Sequence, residues 1–378
     1  MDFSLTDSER RFRDELRAWL AANDPGPRPE GDEASFRFRR EWQARMHAAG
    51  WVGIHWPPEY GGRGASPIEQ AIFNEEIARA EAPRFANTIA IEMGGPTIIA
   101  HGTPEQKERL LEPILSAEEI WCQAFSEPDA GSDLASLRTR ARRVEGGWSI
   151  SGQKVWTSLA HEARWCMLLA RTDPDSTSHR GLTYFILDMR QEGVQVRPIV
   201  QITGEQEFNE LFLEDAFVSD DQVLGEVGEG WRVAITTLMN ERSGLALAAQ
   251  VDVRRAFEGL KRDIFRHGHD ADPTVQERLA DLHIKVEALR LLTYRGLADI
   301  ERDGFPGPKG SLGKLQWAAV NQEITDFALD LAGPDGVAAE APEAYRFLRA
   351  RANSIEGGTT EVLRDIVAER VLGLPRAR

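Results

Sequence analysis

Two carboxylates in the last third of the chain, Glu241 and Glu356, are candidates for a general base. At about 100° per residue of a helix, four apolar residues fall within roughly 60° of Glu241: Ala234, Leu238, Leu245 and Ala248. Burying a carboxylate without a partner is costly and raises its pKa, which suits a general base. A core ion pair of Glu241 with Arg242 or Arg254 would explain the same pattern.

Residues 126–134 form a turn-rich segment that could bring backbone N–H groups close to a ligand. Pro128 and Gly131 favour a turn, and the small residues around them allow a close approach. An ordinary surface turn has a similar composition, so both interpretations stay open.

Residues 152–158 directly follow a strand-like run and place a tryptophan beside two hydroxyl residues. Trp156 could cover the face of an aromatic ring while Thr157 and Ser158 bond its heteroatoms. A tryptophan packed in the core is the alternative.

Residues 354–364 combine two glycines with the beginning of an amphipathic helix. Gly357 and Gly358 precede Thr359, whose hydroxyl suits the N-cap position. Free N–H groups and the helix dipole could bind a phosphate or another anion there. The alternative is an ordinary capped helix.

The composition narrows the class of protein. The 378 residues are 42% hydrophobic and 28% charged, as in a globular protein with a sizeable core. The net charge of −16 argues against a surface that binds nucleic acid or anionic lipid, although a local basic pocket stays possible. With only Cys122 and Cys166, no apolar run long enough for a membrane span and no signal-peptide pattern at residues 1–4, we expect a soluble, cytoplasmic protein.

Helical patterns dominate the first part of the chain. Thr6 and Glu9 form a capping box before apolar residues at helical spacing, and a solvated loop is expected at residues 24–33. A second helix is predicted at residues 37–50, ending with Gly50 as a C-cap. The motif Gly94, Gly95 and Pro96 is either a break or the beginning of a helix.

The pattern changes to short strands near Ile120 and returns to helices at Gly230. The strand-like runs are residues 148–150, 165–169, 183–187, 194–196 and 211–213. Strands without intervening helices favour an antiparallel sheet or a small barrel. We therefore predict an α+β fold with an N-terminal helical domain (1–120), a middle antiparallel β domain (121–229) and a C-terminal four-helix bundle (230–378).

These segments together resemble the acyl-CoA dehydrogenase family of flavoproteins over essentially the whole chain. Further matches occur in the family's order and spacing at residues 56–64, 208–213, 223–231 and 368–375. The chain has no strand-linked G-x-G-x-x-G, which fits because this family holds FAD without a Rossmann motif.

The resemblance implies an FAD site between the β domain and the C-terminal bundle. By residue-wise match, the residues expected to contact FAD or the thioester are Gln123, Phe125, Ser126, Gly131 and Ser132. Those expected on the isoalloxazine, with a hydroxyl near N5, are Trp156, Thr157 and Ser158, and those on the last helix are Thr359 and Glu361. The substrate candidates are Ser132, Leu238 and Arg242, and no metal is expected.

The reaction that the resemblance implies is α,β-dehydrogenation of an acyl-CoA thioester to the 2-enoyl-CoA. A carboxylate removes the α-proton and the β-hydrogen leaves as hydride to flavin N5. Many members carry the base just before the Gly-Thr of the last segment, a position that Gly357 fills here, so Glu356 lies one residue too early. The isovaleryl-CoA dehydrogenase branch uses a Glu-Arg pair that matches Glu241 and Arg242. We therefore predict Glu241 as the base, with Glu356 as the alternative.

The match weakens where family members contact a neighbouring subunit. Their Arg-x-x-Phe-Gly and Gln-x-x-Gly-Gly segments complete the neighbour's FAD site, whereas this chain has residues 266–269 and 329–333 there and lacks the glutamine. Either a homotetramer with altered contacts or a heterotetramer with a related subunit would account for this difference.

Three classes of function stay open. The favoured one is a dehydrogenase that passes electrons to an electron-transfer flavoprotein. A flavin monooxygenase or oxidase on the same fold, or a non-catalytic subunit of a heteromeric dehydrogenase, are the alternatives. The length, branching or polycyclic nature of the acyl group is not predicted by the sequence.

Overall fold

The computed structural model describes residues 4–176, 179–303, 307–338 and 340–376, with the backbone alone at 242–247 and 303. The chain forms two compact units. One contains Met1–Asp24, Ser66–Ala82 and Arg242–Arg378, and the other contains Pro25–Ala65 and Pro83–Glu241.

Five α-helices precede the sheet. They are α1 (Asp7–Ala22), α2 (Asp32–Ala48), α3 (Pro67–Arg79), α4 (Gly95–His101) and α5 (Pro104–Leu115). The predicted capping box is confirmed, because the Thr6 hydroxyl accepts from the Glu9 N–H and the Glu9 carboxylate accepts from the Thr6 N–H. The glycine pair at 94–95 is helical, with a π-helical turn at Ala90–Gly94 leading into α4.

Helix α2 differs from its prediction at one end only. It begins at Asp32 and not at residue 37, because Asp32 and Glu33 place negative charge in the first turn, where the helix dipole favours it. Its last residue is Ala48, and the predicted capping glycine, Gly50, follows the C-cap Ala49 with φ +73°. The N–H of Trp51 bonds the carbonyl of Met46, a bond that closes the helix as in a Schellman motif.

A buried carboxylate joins helices α1 and α3. Glu76 is 4% exposed and accepts from Arg17 Nε and Nη2 at 2.7 and 2.6 Å and from Arg79 Nε at 2.7 Å. Burial alone would raise the pKa of Glu76, but the two guanidinium groups hold that pKa below its ordinary value.

Seven strands form one sheet. They are β1 (Trp121–Ala124), β2 (Arg140–Val144), β3 (Gly147–Ser158), β4 (Trp165–Arg171), β5 (Leu182–Asp188), β6 (Val194–Pro198) and β7 (Phe208–Ser219). All five predicted runs lie in strands, whereas β1 and β2 had no separate prediction. The order is β1-β4-β2-β3-β7-β6, with β5 also paired to β4.

The sheet is mixed and not purely antiparallel. Strands β1 and β2 both pair with β4 in parallel, and the other pairings are antiparallel. A parallel pair needs a crossover connection, which the β2–β3 hairpin provides between β1 and β4 and strand β3 provides between β2 and β4. Cys122 and Cys166 lie opposite each other in register as buried, free thiols, as expected for a fold without disulfides.

Helices resume after the sheet, as predicted. They are α6 (Gly230–Arg266), α7 (Pro273–Asp303), α8 (Gly310–Gly336), α9 (Pro342–Ala350) and α10 (Thr360–Ile366). A cluster of buried apolar residues joins α6, α7 and α8 through Phe257, Val286 and Phe327. The α+β fold class is confirmed, and the domain boundaries stay predictions. None of the described helices has the length and apolar character needed to cross a membrane.

Candidate active site

A fully buried ion pair anchors the turn-rich segment to the sheet. Lys154 is 0% exposed, and its Nζ lies 2.9 Å from Glu127 Oε1 and donates to the Phe125 carbonyl at 3.0 Å. The Glu127 carboxylate also accepts from the N–H groups of Arg138 and Thr139 at 2.6 and 2.8 Å. Burial alone would raise the pKa of Glu127, but Lys154 and these donors hold it below its ordinary value.

Sequence reasoning did not single out either member of this pair. The signal was available, because alternation along β3 places Lys154 on the same face as the buried Trp148 and Ile150. A lysine on that face needs an acidic partner in the core.

The predicted ligand segment begins buried and ends exposed. Phe125 is buried, Gln123 and Ser126 are half-buried, and Gly131 and Ser132 are exposed. Glu127 and Ala130 exchange backbone hydrogen bonds of 3.0 and 3.1 Å, which confirms the turn. The segment is therefore fixed at its buried beginning, and its exposed end presents backbone and hydroxyl groups to solvent.

Trp156 has a strained backbone and an exposed side chain. Its φ is +61°, and its indole is 59% exposed and makes an edge contact with Phe208. The strain arises at a β-bulge, where three steps from Lys154 to Thr157 on β3 face two steps on β7. A left-handed non-glycine residue costs about 1–2 kcal/mol. An exposed tryptophan in such a conformation indicates a ligand surface and not a core position.

Thr157 carries a buried hydroxyl that has no hydrogen-bond partner among the described residues. The residue is 0% exposed, and its carbonyl accepts from the side-chain amide of Asn209 at 3.0 Å. An unsatisfied buried hydroxyl beside an exposed indole fits the polar edge and flat face of a flavin ring. Trp156 and Thr157 are therefore suited to hold FAD, and the half-buried Ser158 adjoins them.

Glu241 lies in α6 and is half-buried. Thr237, one turn earlier, and Val233 and Ala234, about two turns earlier, are fully buried. The predicted stripe was centred on Glu241, whereas the buried face is centred nearer Thr237. Of the stripe residues, Leu238 and Ala248 are only half-buried, and the side chain of Leu245 lies outside the described residues. Glu241 follows Thr237 by four residues and therefore lies about 40° from it around the helix.

A network of buried hydroxyl groups fixes the part of α6 around Thr237 within the unit that ends at Glu241. Thr237 Oγ1 lies 3.2 Å from Tyr184 Oη and 3.0 Å from Thr97 Oγ1, and it also bonds the Val233 carbonyl. Tyr184 in turn makes an edge contact with Phe125 in the ligand segment. Through these contacts, the helix that carries Glu241 is connected to Phe125, directly after the end of β1.

The alternative base, Glu356, is engaged in a local ion pair. Both of its oxygens accept from the Arg349 guanidinium, at 3.1 and 3.0 Å, and Oε1 also accepts from Asn353 Nδ2 at 2.8 Å. The Glu356 and Arg349 side chains are 28% and 29% exposed. This pairing favours a structural role for Glu356, because a base held in a bidentate pair is less available to a substrate proton.

The glycine pair before α10 is shaped by a buried lysine. Gly357 and Gly358 have φ of +63° and +96°, and Lys314 Nζ donates to the Gly358 carbonyl at 2.8 Å. Thr359 is the N-cap of α10 as predicted, since its hydroxyl accepts from the Val362 N–H. Glu361 is exposed in the first turn. Of the substrate candidates, the side chain of Arg242 lies outside the described residues.

A second candidate for the neighbour-contacting segment lies four residues before the predicted one. Arg262 and Phe265 have the Arg-x-x-Phe spacing, and both are exposed beside Lys261 and Arg266 at the end of α6. Arg266, which the first match used, instead bonds Asp263 at 2.8 Å. The other segment, residues 329–333, ends at a kink where Gly333 has φ +59°.

Three family models match successive parts of the chain. They describe the N-terminal domain (residues 6–118), the middle domain (122–216) and the C-terminal domain (228–372) of acyl-CoA dehydrogenase.

Known proteins and solved structures are similar to the chain over nearly its whole length. Acyl-CoA dehydrogenase IpdE1 of Mycobacterium tuberculosis (strain ATCC 25618 / H37Rv) is 44% identical over 97% of both chains. The solved Tcur3481-Tcur3483 steroid ACAD superposes with a TM-score of 0.88 and 31% identity over 100% of both chains. The ChsE4-ChsE5 complex from Mycobacterium tuberculosis superposes with a TM-score of 0.80 and 29% identity, also over 100% of both chains.

Proposed function

Since the chain belongs to the acyl-CoA dehydrogenase family of FAD-dependent oxidoreductases, we propose that it converts an acyl-CoA thioester to the 2-enoyl-CoA with Glu241 as the base. The observation that supports this choice is the position of Glu241 on α6, one turn after the fully buried Thr237. Glu356 is held in a bidentate pair with Arg349, whereas Glu241 continues the buried face of α6.

Each candidate residue has a role that follows from its side-chain chemistry. Glu241 accepts the α-proton from its half-buried position on α6. Trp156 covers the flavin ring, the Thr157 hydroxyl bonds its polar edge, and Ser132 meets the thioester from the exposed end of its segment. FAD, when bound, supplies the acceptor for the β-hydride.

Two matched substitutions test the base. Glu241→Gln should abolish flavin reduction by acyl-CoA, measured as anaerobic bleaching, while the flavin absorbance of the purified protein stays normal. Glu356→Gln should retain much of the bleaching rate and lose mainly stability. Normal bleaching by Glu241→Gln would overturn the assignment.

We further propose that the chain works in a heteromeric assembly with a related subunit. The chain keeps an Arg-x-x-Phe segment at Arg262 and Phe265 but lacks the glutamine of the second segment, so it could not complete a neighbour's FAD site in the usual way. Both matched structures are named for two components, Tcur3481 with Tcur3483 and ChsE4 with ChsE5. Stoichiometric FAD in a homotetramer of the chain expressed alone would contradict this proposal.

One matched structure also suggests a substrate class. That protein is a steroid ACAD, and we propose a polycyclic acyl-CoA for this chain. A panel of straight, branched and polycyclic thioesters, assayed first with an artificial acceptor and then with an electron-transfer flavoprotein, tests both the substrate and the acceptor. Equal or higher kcat/KM for straight-chain thioesters would contradict the polycyclic assignment.

A further inference from the structure

A buried asparagine side chain lies beside the strained end of β3. Asn209 is the second residue of β7, is 0% exposed, and pairs in register with Thr157. The mechanism proposed above uses Trp156 and Thr157 but not Asn209. A fully buried amide has two donors and an acceptor, and it needs partners for them within the protein. Those partners show which groups the side chain fixes.

Both donors of the Asn209 amide are used on backbone carbonyls. Nδ2 donates to the carbonyl of Thr157 at 3.0 Å and to that of Glu207 at 3.2 Å. The Glu207 carbonyl also accepts from the N–H of Leu159 at 2.9 Å. The side chain of Asn209 therefore joins the backbone of β3 to the residue directly before β7.

The stretch that these bonds hold has an unusual backbone. Trp156 has φ of +61° and Leu159 has φ of +56°, so left-handed non-glycine residues lie on either side of Thr157. Such conformations are unfavourable and persist only where neighbouring groups hold them. The β-bulge disrupts the ladder at this point, and the amide of Asn209 supplies a bond to the stretch from a side chain.

An exposed histidine fixes the orientation of the Asn209 amide. Because both hydrogens of Nδ2 point to carbonyls, Oδ1 is the atom left to accept a bond. His161 Nδ1 lies 3.2 Å from Oδ1 and therefore donates to it. The reverse orientation of the amide would place its oxygen against two carbonyl oxygens. His161, Asn209 and Thr157 thus form a chain of hydrogen bonds that begins at the surface and ends at a buried carbonyl.

Two consecutive residues of β7 support the two side chains proposed to hold FAD. Phe208 contacts the exposed indole of Trp156 edge to face, with the ring centroids 6.0 Å apart. Asn209 holds the carbonyl of Thr157, whose hydroxyl has no partner among the described residues. With the backbone of Thr157 fixed, its hydroxyl and the neighbouring indole keep one arrangement before a ligand binds.

We propose that Asn209 is a positioning residue for FAD, and that His161 orients its amide. Asn209 holds the backbone of Thr157, so that the indole of Trp156 and the Thr157 hydroxyl are preorganised for the flavin ring. This inference rests on the proposed function, because it assumes that the ring lies on Trp156 and Thr157. Asn209 acts through Thr157 and does not itself contact the flavin.

Asn209→Leu removes both donors at nearly constant volume. Flavin titration of the FAD-free protein, prepared from the assembly in which the chain purifies, should show about tenfold weaker FAD binding. The visible circular dichroism of the bound flavin should also change, because the surroundings of the ring lose their fixed geometry. At saturating FAD, kcat for an acyl-CoA should fall while KM stays at the parent value, since Asn209 acts on the flavin side of the site.

His161→Ala tests the same chain of bonds from an exposed position, where a substitution does not prevent folding. FAD binding should weaken about two- to threefold, with a change of the flavin dichroism in the same direction as in Asn209→Leu. His161→Gln keeps an N–H donor and should recover part of the loss. If Asn209→Leu does not fold, His161→Ala and His161→Gln decide between the outcomes.

Ser149→Ala is the matched control, because its buried hydroxyl bonds Asp215 at 2.6 Å across the same two strands, near the beginning of β3. Its FAD affinity and flavin dichroism should equal those of the parent. A role in the fold alone would lower thermal stability and leave the dichroism of the folded variants unchanged, which would overturn the inference. An equal loss of FAD affinity in Ser149→Ala would also overturn it. If no thioester reduces the flavin but FAD affinity and dichroism change as expected, the proposed function fails and the role of Asn209 stands.

Discussion

The hydroxyl of Tyr184 lies 3.2 Å from the hydroxyl of Thr237, both side chains are 0% exposed, and Thr237 precedes Glu241 by one helical turn. Burial raises the pKa of Tyr184 well above its ordinary value, so the phenol stays protonated and able to donate to Thr237. The bond therefore holds α6, the helix that carries the candidate base, against strand β5.

The two partners of this bond should differ when they are replaced. Thr237→Val leaves the buried Tyr184 hydroxyl without its acceptor, so the free energy of unfolding should fall by about 1–3 kcal/mol. Tyr184→Phe leaves Thr237 bonded to Thr97 and Val233, and it should cost only about 0.5–1.5 kcal/mol. Urea unfolding measures both values. A larger loss for Tyr184→Phe would contradict this account of the network.

The buried pair of Lys154 and Glu127 should show strong coupling. Lys154→Met leaves a buried carboxylate without its cation, which should lower the free energy of unfolding by about 3–5 kcal/mol. The double variant with Glu127→Gln removes that charge and should be more stable than Lys154→Met alone. If the effects of the two single substitutions simply add, the pair is not coupled as described.

Acid should weaken the contact of α1 with α3 through Glu76. Its folded-state pKa is lowered from 4.5, so the carboxylate contributes stability above about pH 4.5 and this contribution is lost as the pH falls through the folded-state pKa. Glu76→Gln should therefore be less stable at neutral pH and lose less stability on acidification. Thermal unfolding from pH 7 to pH 3 measures this slope, with the exposed Glu108→Gln as a control that follows the parent.

Thr157→Val should separate stability from cofactor binding. Its buried hydroxyl has no partner among the described residues, so an apolar isostere should leave the FAD-free protein equally or more stable. FAD affinity should fall by about tenfold if the hydroxyl bonds the flavin. Flavin titration and thermal unfolding of the FAD-free protein provide the two readouts. An unstable FAD-free variant with normal FAD affinity would show that the hydroxyl serves only the fold.

The sequence predicted the features that depend on neighbouring residues. The Thr6 capping box, the Gly50 C-cap and the Thr359 N-cap each involve residues within one or two turns, so local spacing is enough to find them. The five strand-like runs were found for the same reason, because alternation and flanking glycines are local signals.

The features that the sequence did not predict depend on strand register and distant contacts. Lys154 meets Glu127 only because β3 passes beside the segment after β1, and Arg140 meets Arg171 only in a parallel pairing. The positive φ of Trp156 follows from one extra residue in β3 relative to β7. Alternation along β3 indicates that Lys154 is buried, but the spacing of residues identifies neither its partner nor the other two relationships.

The turn at Gly357 limits how the enzyme could evolve or be redesigned. Many relatives that the chain resembles carry their carboxylate at this position, yet here its φ is +63°, a left-handed conformation that costs a glutamate about 1–2 kcal/mol. An acid at residue 357 would therefore either carry this strain, as Trp156 does, or need a different turn above Lys314. With two successive glycines of positive φ in this turn, the role proposed for Glu241 would be difficult to move to residue 357 by a single substitution.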